Sequence, residues 1–476
     1  MENKIICVDL DGSLVLTDTL HETAIAAFKK NIFIVFKIFY WLLVKGRVYC
    51  KKQLSGSIDV STLHLPVNQP LLLWLKKQKE AGCKLYLVTA ADQKIADTIA
   101  KQIPIFETAF GTNWDLNLSG ISKRDFLDQQ FGSRQYVYVG NGRCDLTVFA
   151  HAAEAVVVNN SPHFIEKVKK ITPVSIVFKT SMNNFSTFLK ALRIHQYAKN
   201  LLIFLPLLLG HEINNAPLIL STVLGFICFS LIASSAYLLN DVLDLPSDRL
   251  HPTKRFRPVA SGELSISYAL LGMAVNFMAG VVLALEWLPS VFCIALISYY
   301  IITVAYSFKL KKLLLVDVFA LAILYTTRIV AGMTIMGETG YSQWLLLFSF
   351  FFFTSLALMK RLSELKRFSE NGFERLPGRA YLIEHESETK MFGICSGFAS
   401  ILIFALYVQS QESLRLYHYS ELLFLICPLL LYWILRAWLM TAEGRMHDDP
   451  IVFALKDRVT YVIGFIIVVI ALVAIG

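Results

Sequence analysis

The sequence has little charge for its length. Charged residues make up 17% of the 476 residues and hydrophobic residues 55%, whereas a soluble protein carries about 25% charged residues. This shortage argues against an ordinary soluble protein and predicts an integral membrane protein. We expect the net charge of +9 to mark cytoplasmic loops, and we expect no nucleic-acid partner.

Paired cysteines are also lacking. The eight cysteines stand singly, with no CxxC pair, at positions 7, 50, 83, 144, 228, 293, 395 and 427. This scatter argues against both a zinc site and a disulfide framework. The N-terminal stretch MENKIICVDLDGS has no apolar signal-peptide core and enters a strand-like run directly.

Residues 1–178 have the pattern of an α/β domain. Short β-branched or aromatic runs alternate with helical patterns; the runs are IICVDL, KLYLVTA, QYVYVG and AVVVNN. Such alternation predicts a Rossmann-like parallel sheet with helices on both faces.

One apolar segment, NIFIVFKIFYWLLV at 31–44, is too short to span a bilayer comfortably. It contains Lys37, and basic residues follow it at positions 45, 47, 51 and 52. Two interpretations remain open: a buried helix, or an interfacial helix lying on anionic lipid.

From residue 198 to 476, apolar runs of membrane-spanning length dominate, since a span needs about 20 residues. We predict nine spans, near 198–216, 218–239, 267–286, 290–307, 313–333, 343–361, 391–409, 419–440 and 459–476. Residues 179–197 form a linker or interfacial helix.

The loops between these spans alternate in charge. The loops after the even-numbered spans are rich in lysine and arginine. The opposite loops contain a single arginine, Arg415. The positive-inside rule then places the N-terminal domain and the basic loops in the cytoplasm. We expect a multi-pass protein of the bacterial inner membrane with its C-terminus on the opposite side.

Two carboxylates, Asp9 and Asp11, follow the first strand. Ligands bind at the carboxyl edge of a doubly wound sheet. There one carboxylate can attack a phosphoryl group while the other protonates the leaving oxygen, with a metal ion neutralising charge. Thr89, Lys123 and Asp145 follow in order.

This order resembles the four motifs of the haloacid dehalogenase (HAD) superfamily of phosphohydrolases. The resemblance implies that Asp9 is the nucleophile and Asp11 the general acid/base. It implies that Thr89 and Lys123 hold the phosphoryl group, and that Asp145 assists Mg²⁺ bound at the two aspartates.

Two features of this region depend on the same resemblance. The insert from about 15 to 66 stands where the family carries a helical cap. Asn141 replaces an aspartate that many members have, so a neutral amide faces the metal and Mg²⁺ affinity is expected to fall.

A second polar stretch, NDVLDLPSDRLHPTKRFRP at 240–258, follows the second predicted span directly. On a continuous helix, Asn240, Asp244 and Asp248 share one face, and Mg²⁺ would relieve the repulsion between such carboxylates. Pro246 predicts that Asp248 lies past a kink or at a helix end.

This stretch resembles the first aspartate-rich motif of the UbiA superfamily of intramembrane prenyltransferases, NDxxDxxxD, followed by a basic HPxKxxRP segment. The resemblance extends through all the predicted spans. It implies an all-α bundle of nine helices around a lipid-facing cavity. It also implies that Mg²⁺, held by Asn240, Asp241, Asp244 and Asp248, binds the diphosphate of the donor.

Other segments distinguish the branch of that superfamily. The place of a second acidic motif reads LMKRLSEL, without its aspartate pair. LRIHQYAKNLLIFLPLL, YSFKLKKLLLVDVFALAILYTTRIVAG and DDPIVFALKD resemble the polyprenyl-phosphate phosphoribosyltransferases. Their donor is 5-phosphoribosyl-1-diphosphate and their acceptor is a polyprenyl phosphate.

That resemblance implies a set of substrate-binding residues. They are Lys199, Asn200, Lys254, Arg257, Tyr306, Lys309, Asp317, Arg328, Lys360, Arg361, Glu364, Asp449 and Asp457. For Lys199 and Lys309, a membrane-anchoring role is an equal alternative.

The leading hypothesis is a bifunctional membrane enzyme in which the phosphatase removes the 5-phosphate of the transferase product. A UbiA-type enzyme that prenylates an aromatic or other small acceptor is the alternative, and a degenerate scaffold or transporter is a third. The sequence leaves the prenyl chain length and the oligomeric state open.

Overall fold

The computed structural model describes residues 4–114, 116–159, 161–180, 183–370, 372, 374–376, 378–446 and 450–476. The chain forms two compact units. The first combines Met1–Leu192 with Tyr237–Met273, and the second combines Arg193–Ala236 with Ala274–Gly476. The polar stretch at 240–258 therefore belongs to the same unit as the α/β region.

The first unit is built on a parallel sheet of six strands in the order β3-β2-β1-β4-β5-β6. The strands are β1 (Ile5–Val8), β2 (Lys84–Asp92), β3 (Thr108–Thr112), β4 (Tyr136–Gly140), β5 (Glu154–Val158) and β6 (Val174–Phe178). In β1, Ile6 and Val8 face one buried core and Cys7 faces the other. This confirms the predicted doubly wound α/β fold, and β1 delivers its carboxyl end to the middle of one sheet edge.

The helices of this unit cover both faces of the sheet. They are α1 (Thr19–Lys30), α2 (Ile34–Tyr40), α3 (Arg47–Ser57), α4 (Gln69–Glu80), α5 (Gln93–Gln102), α6 (Ile121–Phe131), α7 (Leu146–Phe149), α8 (Pro162–Lys169) and α9 (Phe185–Leu192). The helices α1 to α3 form the predicted cap insert, and α2 continues into a π-helical turn at Trp41–Lys45.

The remaining helices carry the apolar part of the chain. They are α10 (Leu205–Leu209), α11 (Ala216–Leu243), α12 (Leu245–Leu250), α13 (Ile266–Trp287), α14 (Ser290–Phe308), α15 (Val316–Met336), α16 (Gln343–Ser369), α17 (Glu386–Val408), α18 (Gln411–Leu416), α19 (Ile426–Ala442), α20 (Pro450–Lys456) and α21 (Arg458–Ile475).

Among the described residues, eight helices are long and apolar enough to cross a membrane, one fewer than predicted. The difference lies in the first predicted span, 198–216. There the chain forms a 3₁₀ helix at Ile194–Phe204 followed by the short α10. Pro206 lies in the first turn of α10, where its missing N–H is tolerated. The two helices together form one apolar segment, Ile194–Leu209, which is shorter than a membrane span.

The chain also breaks at Asp244. Helix α11 ends at Leu243, and α12 begins at Leu245 with Pro246 in its first turn. The prediction that Pro246 separates Asp248 from the preceding helix is thus confirmed.

Candidate active sites

The first site lies at the carboxyl end of β1. Asp9 is buried; its Oδ1 accepts a hydrogen bond from Lys123 Nζ at 2.7 Å and its Oδ2 accepts one from Ser13 Oγ at 3.4 Å. Lys123 stands on α6 and is buried as well. The sheet edge thus brings together a carboxylate and an ammonium group that are far apart in sequence.

Asp145 lies on the other side of the same ammonium group, with its Oδ1 4.0 Å from Lys123 Nζ. Tyr138 donates to that oxygen at 2.7 Å, and the backbone N–H groups of Asn141 and Gly142 donate to Oδ2 at 3.0 and 2.9 Å. These donors fix the Asp145 carboxylate in place.

Asp11 is held by the start of the cap. Its two oxygens accept hydrogen bonds from Thr19, from the backbone N–H at 2.9 Å and from the hydroxyl at 3.1 Å. Thr19 is the first residue of α1. Thr89 is buried on the neighbouring strand β2, where its hydroxyl accepts from the N–H of Ala91 at 3.0 Å.

Asn141 lies against Gly12, the residue that follows Asp11. Gly12 has φ of +73°, and a Cβ atom there would lie 2.0 Å from Asn141 Nδ2. Only glycine combines this backbone conformation with room for the amide. The structure therefore brings Asn141 to the loop that carries Asp9 and Asp11.

Burial changes the acidity of these carboxyl groups. It raises the pKa of Asp9 to about 6, with Asp145 adding to the rise and Lys123 opposing it. Burial, Asp18 and Asp9 together raise the pKa of Asp11 to about 7. Burial would lower the pKa of Lys123, but Asp9 and Asp145 outweigh it and raise that pKa. Near neutral pH, Asp11 can therefore donate or accept a proton.

The residues at this edge fit a magnesium ion. Carboxylate and amide oxygens are the ligands that Mg²⁺ prefers, and Asp9 and Asp145 are buried around a single ammonium group. Within the described part of the chain, no three acidic, histidine or cysteine side chains already surround one point.

The second site is the polar stretch after α11. Arg257 Nη1 donates to Asp241 Oδ1 at 3.2 Å and to Asp248 Oδ2 at 2.6 Å. Both carboxylates are buried, whereas 25% of the Arg257 side chain is exposed. Two carboxylates from separate helices therefore meet at one cationic group, and their oxygens are also of the kind that Mg²⁺ binds.

The break at Asp244 is local. The N–H of Asp244 still donates to the carbonyl of Asn240 and the N–H of Asp248 to that of Asp244, at 2.9 and 2.8 Å, so the shared face of Asn240, Asp244 and Asp248 stays a prediction. Asp244 stands at the start of α12, 3.7 Å from Lys29 Nζ. Asn240 is half-buried near the end of α11, and Lys254 is exposed in the turn that follows α12.

Helix α1 holds this stretch in position. Arg249 forms two hydrogen bonds to Glu22, at 2.6 and 3.1 Å, and both side chains are buried. Lys29 Nζ donates to the carbonyl oxygen of Leu243 at 2.9 Å. Glu22 and Lys29 stand in neither sequence motif, so sequence reasoning missed them.

In the second unit, Arg328 lies in a buried polar cluster. Its Nε donates to Asn200 Oδ1 at 2.9 Å and its Nη2 donates to the Tyr299 hydroxyl at 3.0 Å. Asn200 donates in turn to Ser230 Oγ at 3.0 Å. Arg328 and Asn200, both predicted to bind substrate, are thus in contact. Tyr299, which was not predicted, contacts Arg328 as well.

A second buried cluster surrounds Arg361. Its Nε donates to Asp317 Oδ2 at 2.6 Å, its Nη2 donates to the Tyr306 hydroxyl at 3.1 Å, and it also pairs with Glu364. All four of these residues were predicted from sequence to bind substrate. Here they bind one another.

Two residues that sequence reasoning missed complete this cluster. Arg379 Nη1 donates to the Tyr306 hydroxyl at 2.8 Å and lies 3.6 Å from Asp317 Oδ2. The Tyr381 hydroxyl donates to Asp317 Oδ1 at 2.8 Å. Both stand in the connection after α16, which carries no recognisable motif.

The other predicted residues have separate surroundings. Asp457 caps α21 and accepts two hydrogen bonds from Arg436, at 2.7 and 2.9 Å. Lys309 is exposed at the end of α14 and Lys360 is half-buried on α16. Asp449 lies outside the described residues.

The second unit also contains a cavity of about 490 Å³, lined mainly by apolar side chains. Lys199 lines it, with Nζ 5.7 Å from the centroid of the Tyr325 ring. Aromatic lining residues include Phe348, Phe352 and Trp433. Such a surface suits an apolar chain attached to a charged group.

A model of the UbiA prenyltransferase family matches residues 201–474. The chain belongs to this family. The UbiA family assignment and the eight long apolar helices among the described residues make it a multi-pass membrane enzyme. The N-terminal region has the parallel sheet that the resemblance to the HAD superfamily implies, with Asp9, Thr89, Lys123 and Asp145 on or after β1, β2, α6 and β4.

Relatives of this UbiA family member cover different shares of it. An uncharacterized protein of Sinorhizobium fredii is 37% identical over 467 residues, which cover 97% of this chain and 89% of the relative. The decaprenyl-phosphate phosphoribosyltransferase of Mycolicibacterium smegmatis is 30% identical over 294 residues, 59% of this chain and 90% of the relative.

Among solved structures, phosphoserine phosphatase with a phospho-aspartyl intermediate analogue is similar to the N-terminal part of this UbiA family member. The two share 18% identity, the match covers 37% of this chain and 94% of the phosphatase, and the TM-score is 0.27.

Proposed function

We propose that the protein is a bifunctional enzyme of lipid-linked sugar synthesis in the bacterial inner membrane. Its UbiA domain transfers 5-phosphoribose from phosphoribosyl diphosphate to a polyprenyl phosphate. Its HAD-like domain then removes the 5-phosphate. The observation that carries the transferase proposal is the convergence of Asp241 and Asp248 on Arg257, which is partly open to solvent.

In the transfer step, the bond between ribose C1 and the diphosphate oxygen breaks, and an oxygen of the acceptor phosphate bonds to C1. Mg²⁺ held by Asn240, Asp241, Asp244 and Asp248 would offset the charge of the leaving diphosphate. Lys254 and Arg257 add positive charge there, and such fixed charges stabilise a transition state strongly. The acceptor phosphate is already an anion, so no strong base is needed.

The polyprenyl acceptor is expected to lie with its apolar chain in the cavity beside Lys199. An ammonium group at an apolar surface can bind a phosphate head while the chain lies against aromatic and aliphatic side chains. The similarity to a decaprenyl-phosphate phosphoribosyltransferase supports this acceptor class. We retain Arg328 and Arg361 as candidates for substrate binding. We leave out Asp457, whose carboxylate accepts hydrogen bonds from Arg436 and from Thr460 in the first turn of α21.

In the hydrolysis step, a carboxylate oxygen of Asp9 attacks phosphorus and the ester oxygen of the ribose leaves. Asp11, with a pKa of about 7, protonates that oxygen and then takes a proton from the water that cleaves the aspartyl phosphate. Lys123 holds the phosphoryl oxygens. Mg²⁺ at this site would neutralise phosphate charge.

The transferase is tested with the purified full chain, Mg²⁺, decaprenyl phosphate and labelled phosphoribosyl diphosphate. We expect a labelled lipid. Transfer of a labelled prenyl group to an aromatic acceptor, with no labelled ribosyl lipid, would instead establish the prenyltransferase alternative.

The coupling of the two steps is tested by comparing the lipid products of the wild type and Asp9→Asn. The wild type should yield the dephosphorylated lipid and the variant the phosphorylated one. The same phosphorylated lipid from both would contradict the coupling. Separately, Asp244→Ala should abolish transfer and preserve hydrolysis, and an unchanged transfer rate would remove Asp244 from the metal set.

A further inference from the structure

Between Ile32 and Lys45, every residue except Lys37 is apolar. Ile34, Ile38 and Trp41 pack against the core of the first unit. The opposite side chains are exposed, among them Phe33 (68%), Phe36 (73%), Phe39 (62%) and Leu43 (82%). A helix that faces water normally carries polar residues on its outer side, and one that is apolar all round is covered by protein or by lipid.

Within the first unit, the chain immediately before this segment contacts the ends of two helices of membrane-spanning length. Lys29 Nζ donates to the carbonyl of Leu243, the last residue of α11. Ile25 packs in a cluster with Leu238 of α11 and with Ile266 and Ala269 of α13. Both α11 and α13 are long and apolar enough to cross a membrane. The exposed apolar face therefore begins a few residues from the ends of two membrane-spanning helices.

In the sequence on either side of the segment, all the charged residues are basic. No acidic residue stands between Glu22 and Asp59, whereas seven basic residues do, at positions 29, 30, 37, 45, 47, 51 and 52. Lys37, Lys45 and Arg47 are exposed. A second copy of this chain docked face to face would bring the same positive charge against it. Anionic headgroups above an apolar layer complement both properties of the surface.

We propose that the outer face of Ile32–Lys45 inserts into the headgroup layer of the bilayer that α11 and α13 cross, where Lys45 and Arg47 bind anionic lipid. The aromatic and leucine side chains then lie at the boundary of the acyl chains. Such insertion holds the cap helices at the membrane surface. Thr19, which contacts Asp11, belongs to the first of these helices.

The test uses a photoreactive benzoylphenylalanine at Phe36 or Leu43 in the full chain, in nanodiscs of phosphatidylethanolamine and phosphatidylglycerol. The matched control carries the label at Leu73, an apolar side chain on α4 of the same unit that is 60% exposed. We expect lipid adducts by mass spectrometry at positions 36 and 43 in at least tenfold excess over position 73. Cross-links to a second protein chain, or no excess over the control, would overturn the proposal.

The anionic part of the proposal is tested with the Phe36 label in nanodiscs of phosphatidylcholine alone. The adduct yield should fall at least threefold, and the variant Lys45→Gln/Arg47→Gln should show the same loss in anionic lipid. An equal yield in both lipids would remove the role of the basic residues. Hydrolysis of a small soluble phosphate ester in detergent reports that each variant is folded, and it should stay within twofold of the wild type.

Discussion

In each of the two carboxylate sites of the first unit, two buried carboxylates lie beside one cationic group, but the surroundings of that group differ. At the end of β1, Asp9 and Asp145 share Lys123, and neutral donors such as Tyr138 hold the carboxylates as well. After α11, Asp241 and Asp248 stand on opposite sides of a helix break and share Arg257. The first site is built on a rigid sheet edge, whereas the second depends on a cationic group to join two helices.

The cationic groups of the two sites also differ in their exposure to solvent. The Lys123 side chain is 4% exposed and that of Arg257 is 25% exposed. Lys123 is thus enclosed with its carboxylates, whereas the arginine faces solvent on one side. The difference supports the proposed roles, in which the first site encloses a phosphoryl group and the second binds a water-soluble diphosphate.

The largest expected effect is that of Asp9→Asn, which should abolish hydrolysis at the first site and leave transfer at the second site intact. Asp9→Asn removes the nucleophile without changing its size, so hydrolysis of a small phosphate ester should fall on the order of 10³-fold or more. Transfer, measured as labelled lipid from labelled phosphoribosyl diphosphate, should be unchanged. An equal loss of transfer would mean that the two sites do not act separately.

Arg257→Gln tests the second site in the same way. It removes the cationic group between Asp241 and Asp248, and we expect transfer to fall about 10²–10³-fold with hydrolysis within twofold of the wild type. Arg255→Gln is the matched control, because Arg255 is an exposed arginine in the same turn. Similar losses in both variants would reduce the role of Arg257 to general positive charge.

Glu22→Gln tests how α1 holds the second site. It leaves Arg249 buried without its charged partner, a change that costs about 3–5 kcal/mol. Glu166→Gln is the control, since Glu166 pairs with Lys169 at the surface, where such pairs contribute about 0–1 kcal/mol. Thermal unfolding of the full chain measures both. Equal shifts would contradict the structural role of the Glu22–Arg249 pair.

The smallest effect concerns pH at the first site. The pKa of Asp9 is raised to about 6, so a proton competes with Mg²⁺ at a higher pH than at an ordinary aspartate. The Mg²⁺ concentration for half-maximal ester hydrolysis should rise about fivefold between pH 6 and pH 5. A constant Mg²⁺ requirement over that range would show that the carboxyl group is already ionised.

The sequence predicted the first site well because its residues follow strand ends or stand on helices that the sheet topology fixes. Asp9, Lys123 and Asp145 meet for that reason. Glu22, Arg379 and Tyr381 could not be predicted, since each acts through a contact with a distant segment and belongs to no periodic pattern.

The second site was predicted only in outline. The composition of the stretch was sufficient to propose a cation site, but the contact of Asp241 and Asp248 with Arg257 could not be predicted from helical spacing, because Arg257 lies in the turn after α12. Hydrophobicity also could not reveal that the helical segment in the first apolar run ends at Leu209, because hydropathy reports apolar composition and not where a helix stops.

The composition of the first unit has a consequence for dissecting the protein. Ile25 and Phe188 are covered by side chains from Tyr237–Met273, including Leu238 and Ile266. A fragment that ends at Leu192 would lose this cover and would leave Glu22 without Arg249. The phosphatase-like region is therefore not a detachable module, and a fusion, split or domain exchange has to carry the connection between α11 and α13 with it.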